Sequence, residues 1–284
     1  MMSSDEIQKK QNSEHFLKVQ YAARCYYNSA EKLNYCVWLF CLVSAFSIFL
    51  PTNLPEIVIR GIPFVADLIA LIILGLTHRK VKTAASLRKY FDAFVLDICV
   101  DQFTENERRD IKEITWKAYS KDSAEAEIQI TNTGKDLPPG VNEWYVFLEP
   151  CTGISAKFEC QRQNAWWNSK MSHMRLAVTM CVAALVGIMF LLLVVNGNTL
   201  AAILCSAGLI AKILERVTEN VKYIKVSIQI DGAMRTIERH PTEEGIETLQ
   251  KFIDERRAIV VLEPNFFHKK SAKTLSKVYE ERIL

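Results

Sequence analysis

The chain has 284 residues, 24% of them charged and 50% apolar, with a formal net charge of +3. So mild a positive balance, with no long run of Lys or Arg, excludes a protein built to coat nucleic acid, and no direct DNA or RNA binding is expected. The mean hydropathy of +0.06 resembles that of a soluble protein, but it averages over a segregation: apolar residues gather in two blocks, 35–77 and 176–214, and the rest is as polar as ordinary cytosolic sequence.

The opening MMSSDEIQKKQNSEHF has no short apolar core and no small-residue cleavage site, so the N-terminus is expected to stay in the cytosol. Residues 5–34 read as an amphipathic helix, with Ile7, Phe16, Val19, Ala23, Tyr26, Tyr27 and Ala30 along one stripe. The first predicted span, 35–50, holds no charge and ends at Pro51. Its length of about 24 Å falls short of a hydrocarbon core of roughly 30 Å, so the helix begins near Leu33 or the bilayer thins locally.

The second predicted span, 57–76, is followed by the cations His78, Arg79 and Lys80. It carries Arg60 and Asp67, whose seven-residue spacing puts them on one face. Gly61 and Pro63 predict a kink beside them. Arg60 reaches the outer interface, whereas Asp67 lies near mid-span, where an unpaired carboxylate costs about 2.5–3.5 kcal/mol. Two readings stand for Asp67: it faces a water-filled or inter-subunit path, or it is a protonated or hydrogen-bonded carboxyl inside the bundle.

Residues 78–122 continue as helix and are followed by a second helix in ENERRDIKEITWKAYSKD, and TNTGKDLPPG at 131–140 is the clearest loop. After EWYVFLEP, the stretch AKFECQRQNAWWNSKMSHMRL leads into the third predicted span, 176–195, twenty residues without a charge. Trp166 and Trp167 lie about ten residues before it, too far for an interfacial belt, and are expected to pack in a cytoplasmic domain. A turn of Asn196, Gly197 and Asn198 forces an antiparallel hairpin with the fourth predicted span, 199–214, where Lys212 snorkels toward head groups. Small residues recur four apart, Ala183 with Gly187 and Ala202 with Ser206, a pattern that lets helices approach closely in lipid and that hairpin packing explains more simply than oligomerisation. Residues 215–257 predict a long helix, a break at His240-Pro241 and a second helix, before the EPNFF turn and a basic tail.

Burial of these apolar blocks on every face of a soluble domain would demand more surrounding protein than the chain supplies. The expected fold is therefore an all-α membrane protein with four transmembrane helices as two hairpins and a mostly helical cytoplasmic domain. Its segments are 1–34, hairpin 35–77, cytoplasmic middle domain 78–175, hairpin 176–214 and C-terminal 215–284. Neither hairpin tip holds Lys or Arg, while Lys18, Arg24, Lys32, Arg79, Lys80, Lys82, Arg175, Arg216 and Lys222 flank the other ends, which places both termini in the cytoplasm. The eight cysteines form no C-x-x-C pair and read as reduced, small apolar residues; no metal and no cofactor are expected. Scattered histidines and the lack of G-x-S-x-G, P-loop or G-x-G-x-x-G motifs argue against an enzyme.

Four stretches give the chain a family likeness: Gln11-Asn12 with QYAARCYYNSAEK at 20–32, LRKYFDAFVL at 87–96, CQRQNAWWNSKM at 160–171, and IDERRAIVVLEPNFF at 253–267. In these the chain resembles the SMODS-associated four-transmembrane (S-4TM) pore-forming effectors over nearly its whole length. It departs at Asn168, where the family pattern has an acidic residue, and at Phe266 or Phe267 in place of Trp. The resemblance implies a bacterial anti-phage effector of the CBASS-like, cyclic-oligonucleotide type, causing abortive infection by disrupting the inner membrane; four spans in one subunit leave little room for a wide aqueous path, so a pore former is expected to act as a homo-oligomer. It also implies a cytoplasmic sensor whose nucleotide or partner signal favours the open state. If the ligand is a cyclic oligonucleotide, Arg24, Tyr27, Arg162, Asn164, Trp166, Trp167 and Arg256 have the chemistry for phosphate and base, although holding the cytoplasmic helices together is the simpler account of any one of them. A membrane-anchored receptor or scaffold that recruits a separate effector is the alternative; a small transporter is disfavoured by the absence of a repeat between the hairpins.

Overall fold

A computed structural model describes residues 2–49, 55–195 and 199–262; the side chains at 56, 58–60, 166–175 and 200–202 lie outside the described set. Of the expected hairpin tip at 51–56 only 55 and 56 are described, and the tip at Asn196 to Asn198 and the tail from EPNFF onward lie outside the described residues.

Eight α-helices carry the described chain: α1 (Ser4–Gln11), α2 (Glu14–Phe46), α3 (Glu56–Leu96), α4 (Glu105–Lys121), α5 (Ser123–Thr131), α6 (Ile154–Val195), α7 (Thr199–Arg239) and α8 (Glu243–Ala258). Isolated bridges join Ser3 to Thr152 and Thr133 to Asn142. Local chemistry sets the ends. Ser3 with Glu6 and Thr104 with Glu107 form reciprocal capping boxes at the starts of α1 and α4, and Thr242 accepts the Gly245 N–H at 3.1 Å to start α8. Where one amphipathic helix is expected over 5–34, α1 stops at Gln11 and α2 begins at Glu14, because the Asn12 and Ser13 N–H groups turn back onto Gln8 and Lys10 carbonyls. Helix α3 passes through Pro63 and ends where Asp97 adopts the left-handed region at φ 54°.

The chain divides into two compact units. Unit 1 comprises Met1–Asn28, Lys80–Ser169 and Lys225–Ile259. Its main core gathers Ile7, Val19, Leu87, Phe91, Tyr145, Ile230, Ile246, Leu249 and Ile253, each under 5% exposed, and a smaller cluster joins Leu17 and Tyr21 to Ala126, Ile130 and Val141. Burying such side chains contributes about 1.5–3 kcal/mol apiece. The irregular chain between α5 and α6 is tied down by backbone bonds, Val141 N–H to Gln129 O at 2.7 Å and Gly140 N–H to Thr133 O at 2.7 Å. A Cβ at Gly140 would run into the Asn132 and Gln129 carbonyls, so only glycine fits there.

Unit 2 comprises Ser29–Arg79, Lys170–Ile224 and Val260–Leu284. Its core is small, with Val37, Cys41, Ala45, Ala70, Leu209 and Ile213 buried. Large apolar side chains instead face outward, among them Leu39, Phe64, Leu71, Leu185 and Leu191, all more than half exposed. Such a surface is stable against lipid and not against water. By length and composition, three stretches of helix among the described residues suffice to cross a membrane: Glu14–Phe49, Gly61–Leu96 and Leu176–Val195, the last with a mean hydropathy of 2.9. The architecture is that of an all-α membrane protein.

Candidate functional site

Unit 2 holds a polar seam among its apolar side chains. On α2 (Cys41 and Ser44) and α7 (Cys205, Gly208, Lys212 and Glu215) its residues recur at three- and four-residue intervals, and Asp67 joins them from α3. The missing side chain at Gly208 makes room for Asp67: its Oδ2 accepts the Gly208 N–H at 3.1 Å, and a Cβ at Gly208 would overlap the carboxylate. Asp67 Oδ1 is inaccessible to water and no hydrogen bond reaches it, the Ser44 hydroxyl beside the carboxyl being given to the Cys205 carbonyl. On the adjoining stretch of α2, Ser44 donates to the Cys205 carbonyl at 3.3 Å and Cys41 Sγ lies 3.7 Å from the Gly208 carbonyl. One turn along α7 from Gly208, Lys212 is only 5% exposed and pairs with Glu215 at 2.6 Å, and Glu215 also meets His78 at 3.0 Å. The lysine expected to snorkel is thus neutralised within the seam. Arg60 lies in α3, but its side chain is outside the described residues.

Unit 1 is organised around a buried carboxylate. Asp92, fully buried on α3, accepts through Oδ1 from the Tyr145 hydroxyl at 2.6 Å. Its Oδ2 takes donors from Arg257 at 2.6 Å, Gln250 at 3.1 Å and Asn164 at 3.4 Å. Gln161 extends the network to Gln250 at 3.1 Å, and Asp254 stands 3.6 Å from Arg257. Burial opposes the Arg257 charge, yet Asp92, Tyr145 and Asp254 outweigh it and push its pKa above the usual arginine value. Burial, reinforced by Asp92, holds the Tyr145 phenol far above its ordinary range. Asp254 is pushed up to about 6, chiefly by burial, with Asp92 adding repulsion against the attraction of Arg257.

Several of the residues expected to meet a nucleotide are built into this network. Asn164 donates to the Tyr145 hydroxyl at 2.7 Å, and Tyr27 donates to the Arg257 carbonyl at 3.3 Å. Arg256, 2% exposed, donates to the Asn164 carbonyl at 2.9 Å and ties α8 to α6. Arg24 stands apart, clasping the 131–140 loop through Pro139 O at 2.5 Å and Gly140 O at 2.8 Å and reaching Gln129 of α5 at 3.2 Å. Arg162 pairs with Glu159 at 2.7 Å, leaving its Nε without a partner. Trp166 and Trp167 lie in α6, with side chains outside the described residues.

The model of the SMODS-associating 4TM effector domain matches residues 5–277, nearly the whole chain. The chain belongs to that family. No curated protein and no solved structure matches it. As a SMODS-associating 4TM effector domain it is a membrane effector. The stretches that carry the resemblance meet in space: Tyr27 from the first, Asp92 from the second, Gln161 and Asn164 from the third and Asp254, Arg256 and Arg257 from the fourth all join the unit 1 network. Reasoning from sequence missed Asp92, Gln161, Gln250, Arg257, Gly208 and Glu215 as site residues. A carboxylate inside the aromatic run YFDAF was the available signal for Asp92; nothing in the sequence pairs Gly208 with Asp67.

Proposed function

We propose that this effector is a gated, membrane-disrupting protein of anti-phage defence, inserted in the bacterial inner membrane through four spans with both termini in the cytoplasm, and active as a homo-oligomer. Its cytoplasmic segments sense a cyclic oligonucleotide or a partner. The observation that carries the reading is the Asp67 seam. A carboxylate with one unpartnered oxygen, in a unit that otherwise presents apolar side chains, is costly to keep in lipid. Its retention is accounted for by a conducting state in which Asp67 lines water. Induced expression with a membrane-potential dye tests this, with and without the neighbouring signalling genes. Asp67→Asn is expected to leave expression intact and to abolish most of the depolarisation. The second reading, a membrane-anchored receptor or scaffold, is favoured by the internal pairing of Lys212, Glu215 and His78, which closes most of the seam's polar groups on themselves. Unchanged potential at full expression under activating conditions would decide for it.

A further inference from the structure

Arg88, on the part of α3 within unit 1, is the charged group that the network around Asp92 does not absorb. It is 9% exposed, its guanidinium lies 3.9 Å from the centre of the Trp144 ring, and one terminal nitrogen is shut off from water without any acceptor. No carboxylate stands within ion-pair distance of it among the described residues. The nearby charges are divided: Arg257 and Arg24 repel it, while Tyr27 and Asp92 favour its charge. Asp92 already serves Arg257, Gln250, Asn164 and Tyr145, and Arg24 is committed to the 131–140 loop. Burial, and then Arg257, pull the Arg88 pKa down to about 9, so it remains cationic at neutral pH. On the neighbouring helix α2, Gln20 is 1% exposed with neither its amide oxygen nor its nitrogen partnered, and it shares a helical face with Arg24 and Tyr27.

A buried guanidinium lacking a counter-charge is strongly disfavoured unless something else supplies one. A planar fork flanked by a second and third arginine suits an oxyanion with several acceptors, which is phosphate chemistry. We propose that Arg88 anchors a phosphate-binding site in unit 1, with Arg24 and Arg257 near it and the Trp144 ring covering it when empty. The site rests on the reading of these segments as a nucleotide sensor, and it names the group of the nucleotide that would be held. The phosphate oxygens would take the unpartnered Arg88 donor, and the Trp144 ring would swing from the guanidinium face. Trp144 suits that role: it is half-buried and sits in irregular chain, while its neighbour Tyr145 is held by Gln11 through two backbone bonds of 2.8 and 2.9 Å.

The test uses the full chain purified in detergent and follows thermal unfolding and tryptophan emission. The probes are inorganic pyrophosphate, a panel of cyclic di- and trinucleotides, and sodium chloride at matched ionic strength. Pyrophosphate is expected to raise Tm by roughly 5–10 °C at saturating concentration, beyond the chloride control. Arg88→Met should abolish that shift without lowering Tm in the absence of anion, and Arg88→Lys should retain part of it. The change in emission should vanish in Trp144→Phe. Should Arg88→Met fail to fold, the graded loss in Arg88→Lys carries the test. A wild-type shift no larger than that with chloride, or a full shift in either Arg88 variant, overturns the site. Cyclic oligonucleotides that bind wild type and Arg88→Met alike would refute Arg88 while sparing the sensor reading. An Arg88-dependent pyrophosphate shift with no nucleotide binding would uphold the site and refute the nucleotide sensor.

Discussion

Asp254 shows how one residue in a crowded network acquires a pH dependence. Its carboxyl titrates near 6 in the folded protein against an ordinary 3.8, mainly because it is buried, so between those values the folded state holds a proton that the unfolded chain releases. Stability from this residue is therefore complete below about pH 4 and declines as pH rises through 6. Asp254→Asn removes the titration while keeping an acceptor for Gln250, which donates to Asp254 at 2.9 Å. The variant is expected to be more stable than wild type at pH 7 by roughly 2–3 kcal/mol, with the difference closing by pH 4. Thermal unfolding of the detergent-purified chain across that range measures it; a constant difference would show that Asp254 is ionised in the folded protein throughout.

Helix-to-helix approach in unit 2 depends on Gly208. An alanine there raises helix propensity by about 1 kcal/mol in isolation. It also drives a methyl group into the Asp67 carboxylate and takes away the room for the 3.1 Å bond between the Gly208 N–H and Asp67. Gly208→Ala is expected to destabilise by about 1–3 kcal/mol, and Gly208→Ala combined with Asp67→Ala to recover stability, a coupling that a double-mutant cycle in detergent would read directly. The small-residue spacing on α6 behaves differently. Ala183 packs against the unit 2 core, whereas no described atom lies within 4 Å of where a Cβ of Gly187 would stand. Packing within the described part of the hairpin thus accounts for Ala183 and not for Gly187.

For the molecule as a whole, the apolar exposure of unit 2 calls for a lipid or detergent surrounding rather than water. The expressed protein is expected to sediment with membranes on ultracentrifugation and to move to the supernatant only with detergent. Tags at residues 53 and 197 are expected to report the side opposite the cytosol. Protein that stays in the supernatant without detergent would contradict the membrane fold, and cytosolic tags would contradict the proposed orientation. Helices α2, α3, α6 and α7 each supply residues to both units, so the chain itself joins the polar network of Asp92 to the seam of Asp67.

Apolar runs such as 176–195 are self-sufficient signals, because a membrane helix satisfies its backbone internally and needs only length and the absence of charge. Helix starts at Ser3, Thr104 and Thr242 were equally local, since a cap involves residues three apart in the chain. The sequence by itself therefore determined the all-α membrane class, the loop at 131–140 and the break at His240-Pro241. The polar sites were not legible in that way. Asp92 meets Arg257 across 165 positions and Asp67 meets Gly208 across 141, and no periodicity encodes such pairings. Only tertiary packing decided that Asn164 and Arg256 spend their hydrogen bonds inside the fold while Arg88, unremarked in the sequence, keeps a buried donor unspent. Hydrogen-bond satisfaction is a property of neighbours in space, and a linear chain does not list them.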